Sequence, residues 1–168
     1  GGWIVHNGMI PDHQDIFAER DWPQVTDCDS EALTLFIEDG EGSLPARCAA
    51  AVAAVGAPPA LLGLWSRPGM LIAARWGNPL HVGRVQHGVY LGSLSAELPG
   101  EVKSSADDSM LIFTRSGGII HEQKAKIGGA GTGTSGLRTG ELHAVRPVPG
   151  DTKSARVVKE IRRGCCFD

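Results

Sequence analysis

The sequence predicts an α+β fold with its helices first and antiparallel strands after them. Two observations carry this. Apolar residues recur at three-and-four spacing between Asp12 and Gly56, and from Pro59 onward they come in short runs separated by turn signals. Helices followed by a block of strands do not make the alternation of a doubly wound parallel sheet. A third observation sets the end of the chain apart: Gly128 to Gly140 is rich in Gly, Thr and Ser with almost no apolar content, the composition of a flexible linker.

Trp3-Ile4-Val5 reads as the end of a buried strand, stopped by His6-Asn7-Gly8, where Asn-Gly is a turn dipeptide whose residues tolerate positive φ. Asp12 is placed to cap a short helix through Arg20, with Ile16 and Phe17 inward and Trp22-Pro23 ending it. A second helix is expected from Asp29 or Ser30 to about Asp39, because Ala32, Leu33, Phe36 and Ile37 share one face and Gly40 and Gly42 close it. Ser43 caps a third across Pro45 to Val55, lined by Leu44, Cys48, Ala51, Val52 and Val55, with Gly56 as the residue that ends it. Ala60 to Trp65, Met70 to Arg75, Leu80 to Gly83 and Gly88 to Ser93 are predicted strands of an antiparallel meander. After a polar connection near Glu97 to Asp108, Met110 to Thr114 and Gly118 to His121 form a hairpin over Arg115-Ser116-Gly117. In the tail, Leu142 to Val148 reads as an edge strand and Thr152 to Arg163 as a short basic helix.

Composition narrows the function classes. With 168 residues, 42% of them hydrophobic, the chain has the size of one globular domain. A formal charge of -3 and a pI near 6.1, with Lys and Arg scattered except at Arg162-Arg163, leave no basic footprint for nucleic acid. The Ala-rich run Ala49 to Ala54 is too short to cross a bilayer, and no secretion signal stands at the front. Cys28, Cys48 and Cys165-Cys166 have neither disulfide-framework nor zinc spacing, which favours reduced thiols in a cytoplasm. Gly1 is not Met, and a sequence starting inside a longer reading frame is the expectation that follows.

Several chemistries fail on spacing. His121-Glu122 begins a zincin pattern, but Ala125 stands where the second His belongs. Gly133-Thr134-Ser135-Gly136-Leu137 lacks the final Gly of a hydrolase elbow, and the Gly-rich stretch lacks the Lys-Ser/Thr of a phosphate loop. Asp107-Asp108 reads as a solvated turn, and His13, His81, His87 and His143 as surface or satisfied histidines. No cofactor and no metal are expected.

Two segments distant in sequence remain: the strand ending in His6-Asn7-Gly8-Met9-Ile10, and Thr26-Asp27-Cys28-Asp29-Ser30-Glu31 opening a helix. Together they resemble the glutaminase domain of class II glutamine amidotransferases, the N-terminal-nucleophile family at the front of glucosamine-6-phosphate synthase, amidophosphoribosyltransferase and asparagine synthetase. Leu71 to Leu80, with its Arg75-Trp76-Gly77-Asn78-Pro79-Leu80 turn, is similar to the family's later hairpin. The resemblance covers roughly Gly2 to His121, so residues 1–121 are read as the C-terminal portion of that domain and 122–168 as Gly-rich linker and tail.

The resemblance implies a four-layer α-β-β-α sandwich of antiparallel sheets, truncated at its N-terminus, and hydrolysis of the glutamine side-chain amide to glutamate and ammonia. Asn7 would supply its side-chain amide and Gly8 its backbone N–H to an oxyanion hole, because a tetrahedral acyl intermediate places negative charge on the former carbonyl oxygen. Asp29 would bind the glutamine α-ammonium, its direction fixed by a capping role at the start of a helix. The partners implied are glutamine and an ammonia-acceptor domain or subunit, with no nucleic acid and no membrane.

The family nucleophile is an N-terminal Cys whose own α-amine is the base, and residue 1 is Gly. Cys28 and Cys48 cannot replace it, since neither offers a free α-amine, and Cys165-Cys166 lies beyond the matched region. The family's Arg-containing segment for the substrate carboxylate is missing too. The chain alone is therefore expected to be inactive, as a fragment or as a noncatalytic relative that keeps the fold as a binding or assembly module.

Overall fold

The computed structural model describes residues 1–86, 88–116, 119–127 and 143–145. Strand β1 (Gly2–Asn7) leads into three helices, α1 (His13–Arg20), α2 (Ser30–Asp39) and α3 (Leu44–Ala54). Eight strands follow: β2 (Ala60–Trp65), β3 (Met70–Arg75), β4 (His81–Val85), β5 (Gly88–Gly92), β6 (Glu101–Ser104), β7 (Ser109–Ser116), β8 (Ile119–Lys126) and β9 (His143–Val145). The α+β order is the expected one.

Each helix begins and ends for local reasons. Ser43 caps α3 by accepting from the Ala46 N–H at 3.4 Å, with Pro45 in the first turn and Gly56 left-handed beyond the end. Asp12 makes no side-chain cap to α1; that helix instead stops at Asp21, whose φ of 53° breaks the spiral. The Trp22 ring meets Phe36 edge-on at 5.0 Å and the Arg20 guanidinium lies over both rings, which ties α1 to α2.

The strands form two antiparallel sheets, β1-β2-β3-β7-β8-β9 and β5-β4-β6. Period-two alternation divides the larger sheet between two apolar clusters. Leu61, Ile72, Ala74, Met110 and Ile112 pack with Leu33 and Ile37 of α2 and with Cys48 and Val52 of α3. Ala60, Ala73, Leu111 and Phe113, one residue out of phase, pack with Leu80 and Val82. The described residues thus contain three helices and two sheets; the second helical layer of a four-layer sandwich is not among them.

Four expectations change. Trp3 and Val5 are not buried: they are 68% and 53% exposed, because β1 pairs only with β2 and, at that edge, nothing described covers their face. The single meander is two sheets, since the chain leaves the larger sheet after Arg75 and β4 pairs with β5 and β6 instead of β3. The polar connection from Glu97 to Asp108 contains β6, which composition hides because Val102 is its one apolar residue. The last hairpin also runs longer, to Lys126, and β9 pairs with β8 where part of the Leu142 to Val148 edge strand was expected. The Gly128 to Gly140 linker, the Thr152 to Arg163 helix, Cys165-Cys166 and His87 lie outside the described residues.

Candidate active site

The two motif segments meet at the end of β1. Asp29 stands just before α2, and its carboxylate accepts from the Ile10 backbone N–H at 2.8 Å. His6 Nδ1 lies 2.7 Å from Ser30 Oγ, and His6 Nε2 lies 3.5 Å from Asp29 Oδ2. Ile10 is completely buried in the helix-side cluster, and its carbonyl accepts from the His13 backbone N–H at 3.2 Å and lies 2.9 Å from His13 Nδ1. The turn between strand and helix is therefore pinned at both ends.

Asp29 does not act as expected in one respect. It caps nothing: no side-chain bond runs from it into α2, and its backbone is already helical. Its carboxylate is held by the Ile10 N–H, with His6 Nε2 3.5 Å from the same oxygen, and not by helix capping. Its side chain is 21% exposed.

Asn7 and Gly8 are exposed at the tip of the turn. Only Gly8 uses the freedom that suggested both residues, with φ at 142°. The Asn7 carbonyl accepts from Asn78 Nδ2 at 3.0 Å, while its side-chain amide is engaged by no described residue. Asn78 is fixed by the Trp76-Gly77-Asn78 turn, where Gly77 has φ of 85° and any Cβ would collide with the Pro58 ring. Asp107 accepts from the Gly77 N–H at 2.6 Å and from the Asp108 N–H at 3.0 Å, and these bonds hold its carboxyl below the usual carboxylate range. Arg75 donates to the Ser105 carbonyl, closing the same turn against the strand that follows.

Glu31 closes the other side. Its carboxylate takes the Thr26 hydroxyl and N–H, each at 2.7 Å, and the Val25 N–H at 2.8 Å, so its pKa is lowered, first by the Thr26 hydroxyl and then by the two backbone donors. A cleft of about 340 Å³ beside α2 is lined by Gly2, Ile4, Thr26, Ser30, Glu31 and Trp65, and reaches neither Asn7 nor Gly8. Cys48 is fully buried, and burial pushes its thiol up to about 12, where no useful thiolate exists. Among the described residues no group of three His, Cys, Asp or Glu side chains could hold a metal ion. His13 and His81 are satisfied, the latter with Nδ1 3.0 Å from Ser104 Oγ.

Sequence reasoning named Asn7, Gly8 and Asp29 and passed over His6, Ile10 and Asn78. The first two are inside or beside the motif, but only the fold shows that they touch Asp29. Asn78 stands in the quoted hairpin turn, and spacing alone cannot show that this turn reaches the end of β1.

The described fold is one found in glutamine amidotransferase structures. Glutamine phosphoribosylpyrophosphate amidotransferase from B. subtilis, solved with ADP and GMP, matches 76% of this chain with a TM-score of 0.65 at 16% identity. The structure of an allosteric regulatory enzyme of purine biosynthesis also matches 76%, with a TM-score of 0.59 at 16% identity. In each case the match spans 29% of the other chain. No family model and no curated protein matches the sequence itself. The resemblance read from the motifs is thereby met at the level of fold, the level that such an identity supports.

Proposed function

We propose that this chain is part of a class II glutamine amidotransferase domain, which hydrolyses the glutamine side-chain amide through a thioester on an N-terminal Cys supplied by sequence preceding Gly1. The observation that carries the reading is the hydrogen bond from the Ile10 N–H to Asp29, which brings the two motif segments, far apart in sequence, to one place. In this reading Asp29 receives the substrate α-ammonium through its carboxylate. Asn7 Nδ2 and the Gly8 N–H point their protons at the amide oxygen as the thiolate adds to the carbonyl carbon. The C–N bond then breaks, ammonia leaves with the proton taken from the thiol, and water hydrolyses the thioester to glutamate.

The complete domain would close the four-layer sandwich with elements beyond those described, and an acceptor domain or subunit would consume the ammonia. Cys28 and Cys48 are free thiols, which suits a cytoplasmic setting. The test is glutamine turnover by the protein made from its whole reading frame. Glutamate and ammonia should appear in equal amounts, and replacement of the N-terminal Cys by Ala should abolish both. Turnover that survives that replacement refutes the mechanism. A frame without an N-terminal Cys, and without turnover, selects the noncatalytic module instead.

A further inference from the structure

His6 is buried, with a side chain 4% exposed, between the strand motif and the helix motif. Its Nδ1 is satisfied by Ser30 Oγ at 2.7 Å. Its Nε2 is a buried polar atom with no hydrogen-bond partner, and the carboxylate oxygen Oδ2 of Asp29 stands 3.5 Å away. Buried polar atoms without partners are uncommon, and one facing a carboxylate has an electrostatic consequence.

A neutral imidazole carries one proton. If it sat on Nδ1, the Nε2 lone pair would face the Asp29 carboxylate in a buried space, two electron-rich atoms opposed. If it sits on Nε2, the N–H lies on the side of the carboxylate, 3.5 Å away and short of a hydrogen bond, and Nδ1 accepts from the Ser30 hydroxyl. Ser30 Oγ can donate to Nδ1 or accept from it, whereas the Asp29 carboxylate only accepts, so Asp29 favours the proton on Nε2 and Ser30 then donates to Nδ1. Oδ2 is then held by the Ile10 N–H and attracted by the imidazole N–H, and Oδ1 is left for a ligand.

We propose that His6 is a positioning residue for Asp29, holding one carboxylate oxygen in place so that the other meets the α-ammonium of glutamine. This rests on the reading of Asp29 given above. Ser30 is its partner in that role, holding the ring through Nδ1 while the Asp29 carboxylate favours the proton on Nε2.

Nitrogen NMR of the imidazole in this chain reads the tautomer directly. The proton should be found on Nε2, Ser30→Ala should leave it there because Asp29 still faces that nitrogen, and Asp29→Asn should move the Nε2 resonance. A proton on Nδ1 in the unaltered chain would overturn the proposal. In the protein with its whole reading frame, His6→Ala should raise the glutamine KM about tenfold, the loss expected for one charge-assisted donor, with kcat much less affected. His6→Gln, whose amide nitrogen keeps a donor near the position of Nε2, should recover most of that loss. In an Asp29→Asn background His6→Ala should change KM little, because its target is gone. Equal effects with and without Asp29 would show that His6 supports the fold alone. An Asp29→Asn protein with normal KM would instead sink the glutamine reading, and the imidazole resonances would still report whether His6 holds Asp29.

Discussion

Replacing Gly8 by Ala adds a single methyl group where the turn has least room for one. The new Cβ would stand 2.8 Å from Asn78 Nδ2 and 3.5 Å from the Pro59 Cα, on a backbone whose φ of 142° side chains rarely adopt. Two costs follow. A residue forced into a sparsely populated backbone region costs about 1–3 kcal/mol. Moving the Asn78 amide away from the Asn7 carbonyl loses a hydrogen bond worth about 0.5–1.5 kcal/mol, toward the low end because it is exposed. Together these predict a loss of about 2–4 kcal/mol in urea unfolding of this chain, with the slope unchanged. In an Asn78→Ala background, where that hydrogen bond is already absent, Gly8→Ala should cost only the part due to φ. A Gly8→Ala loss below about 0.5 kcal/mol, the scale of an ordinary surface substitution, would refute the claim that a strained glycine shapes the end of β1.

Other perturbations follow from the same geometry. Glu31 has its pKa lowered in the folded state, so the stability it contributes is fully present above its ordinary value of about 4.3 and is lost as pH falls through the folded value. Glu31→Gln should therefore lower the urea midpoint at neutral pH and converge with the parent in acid; an equal gap at both would contradict the three hydrogen bonds. Arg84 lies 2.7 Å from Glu122, whose side chain is 7% exposed, and Arg84→Ala would strand that carboxylate between the sheets. The expected loss is about 2 kcal/mol, less than for a fully buried pair because the Arg84 side chain is 30% exposed, and an unchanged midpoint would argue against it. Trp3 and Val5 lie on the β1 edge, 68% and 53% exposed, and an apolar edge strand invites pairing with other chains. Replacing both by Lys should lower the sedimentation-measured association of this chain at high concentration; equal association of both proteins would locate it elsewhere.

The helices were legible because their signals are local. Ser43, Pro45 and Gly56 bracket α3 within its own sequence, and the inward faces of α2 and α3 follow from spacing alone. Strand positions were legible as well, but not their neighbours. Nothing in Leu80 to Gly83 states that this run pairs with residues 101–104 and not with β3, because that choice is made by the turn held between Gly77 and Asp107. Trp3 and Val5 read as core for a related reason: bulky β-branched and aromatic residues mark strands, and whether a strand is covered depends on elements elsewhere. At the site, residue types at motif positions pointed to Asn7, Gly8 and Asp29. What holds Asp29 differs from expectation, since position at a helix start suggests capping and the fold uses the Ile10 N–H.

The central claim is that Asp29 meets the α-ammonium of glutamine, and steady-state kinetics of Asp29→Asn in the protein with its whole reading frame tests it most directly. Asn can still accept from the Ile10 N–H, so the fold should hold, with a melting temperature close to that of the parent. The charge proposed to face the ammonium is removed, and losing one partner of a buried charge pair costs about 2–5 kcal/mol, roughly 30-fold in affinity at the low end. Glutamine KM should rise by about that factor or more in a folded protein. A KM equal to the parent's, in a protein that melts normally, would contradict it.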